Sequence, residues 1–270
     1  MKRDDFIEIK GKEIGKTSII LVGVHGNEVC GIEAIEELLP NLDIQTGTVL
    51  IGYGNPVAIE KNVRFTEANL NRMFNDEGKL TEKDRNSYEY KRAQHLKQQL
   101  QRADALLDIH ASATPQSKPF IICEKNAEGV YKILPFDLIV HGFDSVEPGG
   151  TDYYMNKIGK VGICAECGYL GDLSSKDKAK ETILNFLTSQ EHIGGKLSSI
   201  DQKVITMKEI YITKTNNFSL AKKFSDFEEL KGGTQIGNDS GEEIIAPYDG
   251  VILFARNRNS VGEEGFLFGE

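Results

Sequence analysis

His25 and Glu28 stand three residues apart, just behind an apolar run from Ile19 to Val24 that ends in a glycine-bearing turn. An imidazole and a carboxylate at this spacing share one face of the chain, and nitrogen plus carboxylate ligation suits zinc. His110 offers a third ligand at the end of another short apolar run, Ala105-Leu-Leu-Asp-Ile-His110. Two histidines and one glutamate, with a fourth position left to water, form the catalytic rather than the structural zinc pattern. Local evidence is weak, however. A His-x-x-Glu pair is common, and His110 alone reads more readily as a core histidine bonded to backbone.

The elements that must position these residues are legible. Residues 18–24 read as a strand, and Val29, Ile32, Ile35, Leu38 and Leu39 recur at helical spacing up to Pro40. His25 and Glu28 are thus expected in the turn and first helical residues of a strand–turn–helix unit. Two strands that end in ligands place a site at the carboxyl edge of an α/β sheet, where ligands usually bind. Further strands are expected at 6–10, 48–53, 104–110, 118–124, 136–141 and 160–166. Helices are expected at 27–39, from a Thr81 N-cap to about Arg102, and over 174–190. His95 falls on the solvated face of the second of these helices. Residues 55–74 show no periodicity, and so long an irregular stretch in a compact domain is normally functional. The pattern predicts an α/β fold with a mixed sheet flanked by helices.

Past Gly194-Gly195 the chain turns to short strands punctuated by Gly232-Gly, Asn238-Asp, Ser240-Gly and Asp249-Gly. Residues 1–195 therefore read as a catalytic domain and 196–270 as a small β-sandwich or barrel domain. Residues 241–254 resemble the strand–turn–strand unit of biotinyl/lipoyl modules. Tyr248-Asp249-Gly250 occupies the turn where a carrier would have its lysine.

The 270 residues, 39% of them hydrophobic, describe a globular protein, and the net charge of −9 argues against nucleic acid or an anionic membrane as partner. No apolar run approaches the ~20 residues of a membrane helix, and the N-terminus shows no hydrophobic signal segment. Four cysteines imply no disulfide framework, which points to the cytoplasm. Cys164 and Cys167 lie in one expected strand, where residues three apart face opposite sides. They read as buried spectator thiols rather than a metal pair.

The motifs His25-Gly-Asn-Glu28, Asn55-Pro-Val-Ala, Arg64, Asn69-Leu-Asn71-Arg72-Met-Phe, Asp108-Ile-His110 and Cys164-Ala-Glu166-Cys-Gly, in that order, resemble the succinylglutamate desuccinylase/aspartoacylase family. That family belongs to the zinc carboxypeptidase superfamily. The resemblance implies one zinc ion per chain on His25, Glu28 and His110, with Glu166 as the general base that deprotonates the zinc-bound water and then protonates the leaving nitrogen. It implies that Arg64 polarises the scissile carbonyl and that Asn71 and Arg72 hold a substrate carboxylate. The reaction implied is removal of the acyl group from a small, anionic N-acyl amino acid or related compound. A peptidase of the metallocarboxypeptidase type and a metal-free binding protein of the same fold are the alternatives. The C-terminal β domain either restricts access to the site, as in the family, or serves stability alone.

Two departures bear on the chemistry. Asn69 stands where the family usually has an aspartate behind a zinc-binding histidine, which predicts a weaker metal site unless Glu67 compensates. No arginine occurs between Arg102 and Arg256, and Asn156 stands near the position of the arginine that takes a second carboxylate in aspartoacylase-like members. A substrate with one recognised carboxylate is therefore expected.

Overall fold

The computed structural model describes residues 5–270; residues 1–4, part of the N-terminus read as lacking a signal segment, lie outside the described residues. Strands run β1 (Ile7–Lys10), β2 (Glu13–Val22), β3 (Thr46–Tyr53), β4 (Ala105–Ser112), β5 (Phe120–Cys123), β6 (Leu138–His141) and β7 (Val161–Tyr169). They continue with β8 (Lys203–Ile212), β9 (Phe218–Leu220), β10 (Glu228–Leu230), β11 (Gln235–Asp239), β12 (Glu242–Ile245), β13 (Gly250–Leu253) and β14 (Glu264–Gly269). The helices are α1 (Cys30–Leu38), α2 (Pro56–Lys61), α3 (Glu82–Asn86), α4 (Tyr88–Leu100), α5 (Glu128–Tyr131), α6 (Phe143–Val146), α7 (Thr151–Lys157) and α8 (Ser175–Ser189).

The sheet order is β1-β3-β2-β4-β7-β5-β6-β8-β14-β13-β10, beside a small sheet β12-β11-β9. At its centre β3, β2, β4 and β7 are parallel, so His25 and Glu28 just past β2, His110 on β4 and Glu166 on β7 all gather at one carboxyl edge. These central strands are apolar on both faces because helices cover both. Ile20 and Val22 of β2 face the cluster shared with α1 and α8, whereas Ile19 and Leu21 face Leu96 and Leu100 of α4 and Met155 of α7. The predicted mixed α/β sheet with a small C-terminal β region is the fold observed. The sheet also runs unbroken past residue 195, through the parallel pairing of β6 with β8. Ile205, Met207, Val251 and Leu253 pack with Phe120, Val140 and Cys164 across that junction. Among the described residues no helix is long and apolar enough to cross a membrane.

Several elements differ from expectation for local reasons. Helix α1 starts only at Cys30, so His25 and Glu28 both lie in the turn, where the Glu28 N–H donates to the His25 carbonyl at 3.1 Å. The 55–74 stretch contains α2, started by Asn55, whose side chain accepts from the Ala58 N–H at 3.1 Å, with Pro56 in its first turn. Six residues are too few turns for an apolar period to show. The helix begun by the Thr81–Asp84 capping box breaks at Ser87, which takes an extended backbone and caps α4 afresh through the Tyr90 N–H. Helix α7 was not foreseen: its seven residues bury Tyr154 and Met155 without a full amphipathic repeat.

Candidate active site and metal centre

The turn after β2 can approach the 55–74 loop only because of glycine. A Cβ on Gly26 would meet the Ala58 carbonyl carbon at 2.1 Å, and the Gly26 N–H donates to the Arg64 carbonyl at 3.2 Å. From this turn His25 and Glu28 meet His110 of β4. The donor atoms of all three lie within 4.8 Å of one another, and the three side chains are almost wholly buried. His25 Nδ1 is 2.8 Å from Glu28 Oε1, and His110 Nδ1 is 2.8 Å from Glu28 Oε2. Both rings thus present Nδ1 inward.

The outer ring nitrogens are held differently. His25 Nε2 sits 3.0 Å from Asn69 Oδ1, the position inferred for that residue from the sequence. His110 Nε2 lies 3.1 Å from Asp108 Oδ2, which also accepts from the Thr151 hydroxyl at 2.5 Å. Glu67 does not compensate for Asn69. Its carboxylate is turned away and accepts from the Tyr88 N–H at 2.6 Å. The charged support comes instead from Asp108, behind the other ring. Burial opposes ionisation of Glu28, but the two imidazoles hold its carboxyl well below the usual range. Burial likewise disfavours a charged His110, yet Asp108 and Glu28 hold it well above its ordinary value.

Glu166 projects from β7 beside His110, its partner in the β4–β7 register. Burial, and then the charge of Glu28, push its carboxyl up to about 8. Cys164, two residues back on the same face, lines the same pocket, with its sulfur within 4.8 Å of the His110 and Glu166 donor atoms. Cys167 packs in the opposite cluster, so the two thiols do face opposite sides. All four cysteines are free and buried, and burial holds the Cys164 thiol far above its usual range.

Arg64 donates to Glu28 Oε1 at 2.8 Å from the pocket rim. Asn71 accepts the Thr151 N–H at 3.2 Å through its side chain. Arg72 reaches the pocket already engaged: Nε pairs with Glu264 Oε1 at 2.9 Å, Nη1 donates to the Asn71 carbonyl at 2.7 Å, and Nη2 pairs with Glu147. The loop carrying these residues is held by Glu89, which sequence reasoning missed. Its buried carboxylate accepts from Asn55, the Thr66 N–H and hydroxyl, and the Glu67 and Ala68 N–H groups. A lone glutamate in a polar helix carries no sequence signal for such a role.

The cavity over these groups measures about 330 Å³. Its far wall comes from the C-terminal region, with Phe254, Arg256 and Arg258 of the β13–β14 connection and Glu264 of β14 lining it. The C-terminal region thus lines the pocket itself. Arg256 and Arg258 lie outside the arginine-free interval, and no short-range signal ties them to residues 25–166.

Succinylglutamate desuccinylase of Pseudoalteromonas atlantica is 24% identical to this chain over 289 aligned positions, covering 93% of this chain and 80% of that one. The enzyme of the same name from Serratia proteamaculans is 25% identical, covering 94% and 86%. Among solved structures, succinylglutamate desuccinylase of Vibrio parahaemolyticus superposes with a TM-score of 0.83 at 16% identity, covering 98% of this chain and 85% of that one. The product-bound ectoine utilization protein EutE (DoeB) of Ruegeria pomeroyi gives 0.74 at 20% identity, covering 98% and 88%. These likenesses establish the shared fold. The family model described as "Succinylglutamate desuccinylase/Aspartoacylase catalytic domain" matches residues 14–189, so the chain belongs to this family of deacylating hydrolases.

Proposed function

We propose that the protein is a zinc-dependent hydrolase that removes the acyl group from a small, anionic N-acyl amino acid or a related acyl compound. The observation that carries this reading is the convergence of His25 Nδ1, Glu28 and His110 Nδ1 within 4.8 Å, beside the buried Glu166. The donor set fits zinc. Two inward nitrogens flank a carboxylate, the outer nitrogens are braced by Asn69 and Asp108, and buried Glu166 Oε2 beside them is left without a hydrogen-bond partner. When bound, the metal would supply Lewis acidity toward the scissile carbonyl and acidify water.

The protein's own groups do the rest. Glu166 takes a proton from the attacking water and returns it to the departing nitrogen, a double role suited to a carboxyl whose proton affinity is raised. Arg64 swings from Glu28 to the carbonyl oxygen, where a guanidinium stabilises the developing oxyanion. Asn71 and Arg72 hold the amino-acid carboxylate, which exchanges with one of the carboxylates now on Arg72. Residues 1–195 form the catalytic unit and residues 196–270 a β unit that closes the pocket. The four reduced cysteines suit a cytoplasmic setting. The test is metal analysis combined with a hydrolysis screen over N-acetyl and N-succinyl amino acids and dipeptides. A chain that takes up zinc and cleaves the N-acyl amino acids supports the proposal. A chain that cleaves only dipeptides, or nothing, overturns it.

A further inference from the structure

The pocket holds four arginines, and three are already engaged. Arg72 is enclosed by Glu147, Glu264 and the Asn71 carbonyl. Arg64 is on Glu28, and Arg258 donates through Nε to the Glu264 carbonyl at 2.7 Å. Arg256 is half-buried in the pocket wall, and its guanidinium makes no hydrogen bond or ion pair among the described residues. Burial, and then the like charges of Arg64 and Arg258, make its charge harder to hold. Asp226 and Glu166 lie near enough to offset this in part. The oxygens of Asp226, however, are taken up by the Phe254 N–H at 2.9 Å and the Ser112 hydroxyl at 3.0 Å.

The chain is shaped to put Arg256 there. Phe254, directly after β13, lies in the left-handed region at φ 55°, a conformation costly for an aromatic residue. Asp226 grips its N–H, and its ring sits 6.0 Å from Phe120. The following turn is then fixed by the Arg256 N–H, which donates to the Gly265 carbonyl at 2.9 Å. A strained turn, pinned from both sides, thus delivers a cation without a partner into a cationic corner of the cavity. Such a corner is relieved when an anion arrives, and the planar guanidinium fork matches a carboxylate.

We propose that Arg256 is a specificity-determining residue that binds a second carboxylate of the substrate, beyond the one assigned to Arg72. The inference rests on the proposed deacylase reading and reverses the expectation, drawn from the arginine-free interval, of a single recognised carboxylate. Two substrate pairs differing only by acid against amide test it: N-acetylaspartate with N-acetylasparagine, and N-succinylalanine with N-succinamoylalanine. Each is measured with zinc-loaded wild type, Arg256→Gln and Arg256→Lys, by steady-state kinetics and by calorimetric binding. The acid of at least one pair should bind about tenfold or more tightly than its amide. The preference should appear in KM rather than kcat, vanish in Arg256→Gln and return in part in Arg256→Lys. No acid preference in either pair, or a preference that survives Arg256→Gln, overturns the proposal. Because binding is read without turnover, an acid preference that depends on Arg256 but comes with no hydrolysis would sink the deacylase reading and leave this one standing.

Discussion

The two walls of the pocket are built on opposite principles. The wall at the carboxyl edge of β2, β4 and β7 places His25, Glu28, His110 and Glu166 through strand register, and each imidazole there is braced from behind. The wall from the C-terminal segment places Arg256 and Arg258 after a strained turn and Glu264 through antiparallel pairing, with Glu264 paired to Arg72 across the cavity and the Arg256 guanidinium without a partner among the described residues. The first is a rigid edge where side chains are fixed before substrate arrives, as catalysis requires. The second is a set of ion pairs, and of one cation without a partner, that a substrate can rearrange. On this comparison, damage to the edge should abolish chemistry, whereas damage to the wall should alter selectivity or stability.

The largest effect expected is on the edge. His25→Ala or His110→Ala should strip zinc from the purified protein, because two ligands rarely hold the metal. Full zinc occupancy in either variant, by elemental analysis, would remove that residue from the ligand set. Next, Glu166→Gln should keep zinc and fold but lose roughly 10²–10⁴ in turnover, the usual worth of a general acid–base. Unchanged turnover would return Glu166 to a structural role.

A smaller effect sharpens the account of the bracing. With an aspartate in place of the amide, His25 Nε2 would face a charged acceptor like the one behind His110. Asn69→Asp should therefore tighten zinc by up to ~10–100-fold in a chelator competition. Equal or weaker affinity would mean that the amide oxygen already suffices.

The smallest effect belongs to the substrate-facing side. Burial, and then Asp144, push the Asp152 carboxyl up to about 7. Its folded-state pKa is thus raised, so the native state favours the neutral acid. The contribution of Asp152 to stability should fall as pH rises from about 4 to 7 and level off above that. Asp152→Asn removes this cost and should raise Tm at pH 8, but not at pH 4. A rise to about 7 bounds this cost at about 4 kcal/mol. With relaxation and water entry about 1–2 kcal/mol is expected, a rise of roughly 2–8 °C. A rise of equal size at both pH values would assign the effect to packing.

The sequence by itself was enough for the edge. Apolar runs leading to His25 and His110 mark strands, the family's motifs single out those two residues, and side chains at the ends of neighbouring parallel strands converge because register is regular. The motifs around Arg64, Asn71 and Glu166 name residues that line the pocket, and the family's spacing puts Asn69 behind a histidine, where it stands against His25. Only the tertiary structure decided the rest. Glu89 holds the 55–68 backbone from a helix whose pattern gives no hint of it. Asp108 supplies a charge behind His110, whereas Glu67 is taken up by the Tyr88 N–H and supplies none behind His25. Arg256 enters the site from 90 residues beyond Glu166. Periodicity and spacing report contacts within one element or between neighbouring strands. Ion pairs across a cavity depend on where separate parts of the chain are packed, and that information is spread over the whole core.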